Sequence, residues 1–124
     1  MVTFTSSEKI AILSLLKAMV LVDGKVHDME ESMMIAVMQT FNITEEESII
    51  SDSLQTVDAA KVIANASPEK KNIVCGLLGT MMTVDMDIDS RENALWSTIS
   101  MICGFPEMNV ADAMKSTREF FELD

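Results

Sequence analysis

At 124 residues the chain has the length of one domain, large enough to bury a core of its own. Hydrophobic residues make up 48% and mean hydropathy is +0.24, which argues against disorder. A net charge of −11 and a pI near 4.3 argue against nucleic acid and anionic membrane as ligands, and leave cations and basic partners as the natural complements.

Residues 1–7 show no basic region followed by an apolar run, so no signal peptide is expected. The apolar stretch 10–22 is interrupted by Lys17 and is too short to span a bilayer, so no membrane insertion is expected. Ser6 or Ser7 is placed to cap a first helix ending near residue 21. Ile10, Ile12, Leu13, Leu15, Leu16, Met19, Val20 and Val22 cover nearly every face of it, which is the pattern of a central helix. Asp23-Gly24 stops it.

Asp28 with Glu31 has the form of a capping box and opens a second helix, with Met34, Val37, Met38 and Phe41 inward and Asn42 as its stop. Thr44 with Glu47 is a second capping box, predicting a third helix with Ile50, Leu54 and Val57 inward. A short helix over 58–64, low in bulk, reads as a connector. Ser67-Pro68-Glu69 then combines a cap, a proline suited to the first helical position and an acid. The helix it opens, to about residue 83, is again apolar on most sides, through Ile73, Val74, Leu77, Leu78, Met81 and Met82. Gly76 and Gly79 on it permit close helix approach. A further helix carries Leu95, Ile99 and Ile102 on one face with Trp96 beside them, and Gly104-Phe105-Pro106 breaks it. A last helix is expected over 109–121, with Val110, Ala113, Met114, Thr117 and Phe121 inward.

No segment shows sustained strand alternation, so the fold class predicted is all-α, a bundle of six or seven helices. The twelve methionines suit a soft helical core or a Met-lined groove. Cys75 and Cys103 lie in apolar helical segments and not in a CxxC arrangement, which fits reduced, buried thiols and a cytoplasmic location.

A constant shift of 62 positions relates the two halves. It carries Leu15 to Leu77, Leu16 to Leu78, Met19 to Met81, Val22 to Val84, Asp23 to Asp85, Val26 to Ile88, Glu30 to Glu92, Val37 to Ile99 and Ile43 to Phe105. The chain therefore reads as two helix–acidic loop–helix units, about 8–64 and 67–122, packed around a pseudo-two-fold axis within one domain spanning 1–124.

The loops concentrate carboxylates. The second supplies Asp85, Asp87, Asp89 and, one turn into the next helix, Glu92; the first supplies Asp23, Asp28, Glu30 and Glu31. Several oxygen ligands are what a hard divalent cation needs, with Ca²⁺, Mg²⁺ or Zn²⁺ the candidates. Asp85-x-Asp87-x-Asp89 resembles the opening of an EF-hand loop, but Ser90 stands at the glycine position and Trp96 at the position of the last acid. The same acids also serve as helix caps that favour the positive end of the helix dipole. His27, a lone histidine, stands at the repeat position of Asp89 and reads as a surface residue.

The pattern of an apolar helix, then Val22-Asp23-Gly24-x-Val26-x-x-x-Glu30, then a second apolar helix, repeated once, resembles the tellurite-resistance TerB family and its TerB-like relatives. The resemblance covers roughly residues 10–121. It implies a compact fold of about seven helices with pseudo-two-fold symmetry and an acidic surface proposed to bind metal. It further implies no established enzymatic activity and an interaction role in stress responses. Asp23, Gly24 and Glu30 match the first motif, and Asp85 and Glu92 the second; Met86 replaces the expected glycine, and His27 replaces an acid.

Two other readings exist. Asp52-Ser53-Leu54 is the tripeptide in which acyl carrier proteins bear phosphopantetheine, with Ser53 as the attachment site, although Ser53 falls inside a predicted helix and the duplication is foreign to a carrier. A hydrolase using a carboxylate-bound metal is the other, and it lacks a paired base and nucleophile. The expectation is a non-enzymatic cytoplasmic module that meets a divalent cation or a basic protein partner through its acidic loops.

Overall fold

In the computed structural model, residues 3–21, 28–83 and 90–105 are described, with side chains at 3–21, 31–81 and 94–105. These residues form six α-helices and no strand: α1 (Ser6–Leu21), α2 (Asp28–Thr40), α3 (Glu45–Ser53), α4 (Thr56–Ala64), α5 (Pro68–Thr83) and α6 (Ser90–Cys103). The helix expected over 109–121 lies outside the described residues.

The cap of α1 is Thr5, not Ser6 or Ser7. The Thr5 hydroxyl accepts from the Glu8 backbone N–H at 3.2 Å, and the Glu8 carboxylate accepts from the Thr5 N–H at 2.8 Å. The reason is the residue three positions on. Only Thr5 has an acid there, whereas Ser6 and Ser7 are followed by Lys9 and Ile10. As its composition predicts, α1 is the central helix. Ala11, Ile12, Leu13, Leu15, Leu16 and Met19 are fully buried, and α1 packs against α3, α4 and α5 and touches α6. Its two polar interruptions are both satisfied from the α3 end, as set out below.

Helix α2 starts at Asp28 itself, the residue expected to cap it. Val37 and Met33 are buried, with Met34, Met38 and Phe41 packed against the core. The helix stops at Asn42, which has φ 55°, and the next N–H, of Ile43, turns back to the Met38 carbonyl at 2.9 Å. This is a left-handed stop, with the orphan carbonyls taken up by the turn.

Two expectations for the middle of the chain are corrected. Helix α3 does open on the Thr44–Glu47 capping box, but it ends at Ser53 because Leu54 is extended, at φ −83° and ψ 127°. Ile50 and Val57 are exposed, not inward, and Leu54 is only half-buried. Nor is the 58–64 segment a connector. Helix α4 runs Thr56–Ala64, and its small residues Ala59 and Ala60, with Ile63, are fully buried between α1 and α6. Low bulk is what lets its backbone come close to the central helix.

Ser67 caps α5 through the Lys70 N–H at 3.3 Å, and Val74, Cys75, Leu77, Leu78 and Met81 are buried on it. On α6, Ile99 and Cys103 are buried, while Leu95, Trp96 and Ile102 pack at the edge of the core. Gly104, at φ 69°, ends α6, and the Phe105 N–H returns to the Ser100 carbonyl at 3.2 Å. The bounds of α1 and α5 coincide at the 62-residue shift, as do the starts of α2 and α6. The shift also relates the caps Thr5 and Ser67, the left-handed stops Asn42 and Gly104, and the stop bonds Ile43–Met38 and Phe105–Ser100.

Candidate functional site

The frame around each acidic loop is set by helix ends. The first loop, 22–27, joins the end of α1 to the start of α2; the second, 84–89, joins α5 to α6. Asp28 and Glu30 lie in the first turn of α2, and Glu92 lies in the first turn of α6. Asp23, Asp85, Asp87 and Asp89, and with them His27, lie outside the described residues. Among the described residues no three His, Cys, Asp or Glu side chains converge as a metal would require.

At the other end of α1 the described residues build a polar junction that sequence reasoning missed. Lys70 Nζ meets Glu8 Oε1 at 2.8 Å, with both side chains mostly shielded from water. Lys70 also lies over the Phe4 ring at 5.8 Å, and Phe4 meets Phe41 edge-on at 5.2 Å. Burial pushes the Glu8 carboxyl up. The Lys70 hydrogen bond and the Thr5 N–H, with the Lys70 charge, outweigh it and hold Glu8 below its ordinary value. A signal for the pair existed in the sequence, since Glu8 and Lys70 are 62 residues apart, the repeat shift itself.

A second junction ties α3 to α1. Ser14 Oγ donates to the Leu54 carbonyl at 3.0 Å. Lys17 Nζ donates to the Ser48 carbonyl and hydroxyl, to Ser51 Oγ and to Asp52 Oδ1, at 2.7 to 3.1 Å. Ser6 Oγ donates to Glu47 Oε2 at 2.6 Å, and this bond, with the Thr44 N–H, holds the Glu47 carboxyl low. Lys17 thus places a cation beside the C-terminal half of α3, where the dipole favours one.

Ser53 is the last residue of α3, exposed, its hydroxyl donating to the Ile50 carbonyl at 3.0 Å. Cys75 and Cys103 are buried free thiols, as expected. Cys103 Sγ donates to the Ala60 carbonyl at 3.4 Å, and burial pushes both thiols up to about 11. No helix among the described residues is long and apolar enough to cross a membrane.

No protein-family model matches the chain, and no curated protein sequence matches it. Among solved structures it is similar to the crystal structure of a protein of unknown function, PG1108, from Porphyromonas gingivalis W83. The likeness has a TM-score of 0.77 and 35% identity over 96% of this chain and 99% of the other. With the fold shared and about a third of the residues identical over almost the whole of both chains, the chain belongs to the same family as this Porphyromonas gingivalis protein of unknown function.

Proposed function

We propose that the chain is a non-enzymatic, TerB-like helical module of the cytoplasm that works through its two acidic loops. In this reading Asp85, Asp87, Asp89 and Glu92, supported by Asp23, Asp28 and Glu30, bind a divalent cation or a basic protein partner. The setting is a stress response of the tellurite-resistance kind. The observation that carries the reading is the recurrence of one frame. Two helices with the same bounds under a 62-residue shift each lead through a six-residue loop, 22–27 or 84–89, into a helix with an acid at its third position, Glu30 or Glu92. The same recurrence supports a pseudo-two-fold relation between the halves. A carboxylate set repeated at both helix starts gives a cation several oxygens within short loops, which is how hard cations are held.

The test is calorimetric titration of metal-free protein with Ca²⁺, Mg²⁺ and Zn²⁺ beside an Asp85→Asn/Asp87→Asn variant. Saturable heat that the variant loses supports a cation site in the second loop. Absence of heat and of thermal stabilisation with all three ions overturns the metal reading and leaves the acids as caps on a protein-binding surface.

A further inference from the structure

Helix α3 is amphipathic the wrong way round. Its inward side carries Glu47, Ser48 and Ser51, and Ser51 is the one residue it buries. Its two large apolar side chains, Ile49 and Ile50, face water at 63% and 46% exposure. The helix is held to α1 by the Ser6, Ser14 and Lys17 bonds, not by apolar burial. A surface helix ordinarily does the reverse, turning its apolar stripe inward. Isolated exposed apolar residues are unremarkable; adjacent isoleucines on a helix whose polar face is buried call for a covering surface.

The sister repeat supplies an internal comparison. At the 62-residue shift Ile49 and Ile50 correspond to Ala111 and Asp112. The second copy has no bulky apolar pair at these sequence positions, so the isoleucines are specific to the first.

The charge around them selects the occupant. Glu45 and Glu46 each precede an isoleucine by one helical turn, are exposed, and make no bond or ion pair among the described residues. From residue 44 to 60 the chain has acids at 45, 46, 47, 52 and 58 and no lysine or arginine. A second copy of this face, or an anionic membrane, would meet like charge. Residues 106–124, with five acids against Lys115 and Arg118, lack the complementary charge as well.

We propose that the outward face of α3, centred on Ile49 and Ile50 and flanked by Glu45 and Glu46, docks an amphipathic helix with basic flanks from a partner protein. The partner's apolar residues at helical spacing cover the isoleucines, and its lysines or arginines meet the carboxylates. The proposal stands on α3 and not on the acidic loops, so the metal titration above decides nothing about it.

The probe is a synthetic amphipathic helix of leucine and lysine, fluorescently labelled, titrated with the full chain and read by anisotropy. Saturable binding is expected. It should weaken about tenfold in Ile49→Ser/Ile50→Ser, by a comparable factor in Glu45→Lys/Glu46→Lys, and not at all in Met101→Ser, an apolar site still more open to water. Equal binding to the Ile49→Ser/Ile50→Ser variant, or no saturable binding to the wild type, overturns the proposal. So does a clear fall in the variant's Tm, which would show the face to be covered from within. A wild-type dimer that the same variant dissociates, or adsorption to phosphatidylglycerol vesicles lost in that variant, overturns it in favour of those occupants.

Discussion

Lys17 Nζ sits 2.7 Å from Asp52 Oδ1 and 2.7 Å from Ser51 Oγ, so one charged side chain from the central helix closes the end of α3. Its side chain is about one-quarter exposed and Asp52 is mostly in water, so the ion pair itself contributes little. The hydrogen bonds to the Ser48 carbonyl and to Ser51 carry most of the effect. Lys17→Met should therefore cost about 1–3 kcal/mol, the range for losing hydrogen bonds to a charged group. Asp52→Asn should cost well under about 1 kcal/mol. Chemical denaturation measures both, and hydrogen exchange should show the Lys17→Met loss concentrated in α3, because that helix itself buries no apolar side chain.

Glu8→Gln keeps an acceptor for the Thr5 N–H but removes the charge that faces Lys70. A loss of about 1–2 kcal/mol is expected at neutral pH. Because the folded-state value of Glu8 lies below the ordinary 4.5, its contribution is present in full above that value and is lost as pH falls through the lowered one. Wild type and variant should therefore differ at pH 7 and converge at strongly acidic pH. A gap that persisted there would mean the charge is not what stabilises.

The stops of α2 and α6 give a paired test of backbone strain. A Cβ at Gly104 would meet only Lys71 Nζ, at 3.7 Å, an ordinary contact. Gly104→Ala should then lose about 1 kcal/mol from the positive φ alone. Asn42→Gly, at the matching position, should gain a few tenths of a kcal/mol, since it removes the same penalty. Thermal melts of the two variants should move in opposite directions.

Burial and high thiol values make Cys75 and Cys103 poor nucleophiles in the folded protein. Ellman's reagent at about pH 8 should label neither on the timescale of free cysteine and both once denaturant is added. Fast native labelling would show that the helices around them open locally.

Much of the helical order was legible in the sequence because caps and stops are local chemistry. Thr44–Glu47, Ser67-Pro68 and Asn42 act within one turn, and the structure uses each where the pattern puts it. Thr5 was missed because serines next to it compete as caps, and the deciding acid lies three residues on. Helix α3 was misread for a different reason. Apolar periodicity assumes that the apolar face turns inward, and here Lys17, reaching from another helix, decides which face of α3 is buried. Alanine-rich α4 reads as a connector because bulk is the usual sign of a core, whereas closeness to α1 is what its small residues provide. The acids were visible as a pattern at 23, 28, 30, 85, 87, 89 and 92. Pattern alone does not bring side chains together, and the meeting of two loops is a tertiary property.

The bond between Glu8 and Lys70 bears on how such a chain can arise. These residues are related by the 62-residue shift of the sequence, and they touch. Had the repeats been separate, identical polypeptides pairing symmetrically, the two positions would hold the same residue on both sides, Glu against Glu or Lys against Lys. Like charges so shielded repel, and no single substitution in such a homodimer replaces them with an attractive pair. Joining the copies in one chain lifts that constraint. Each side can then mutate alone, and an opposite-charge contact between equivalent positions becomes an arrangement open to the joined chain and closed to a symmetric homodimer.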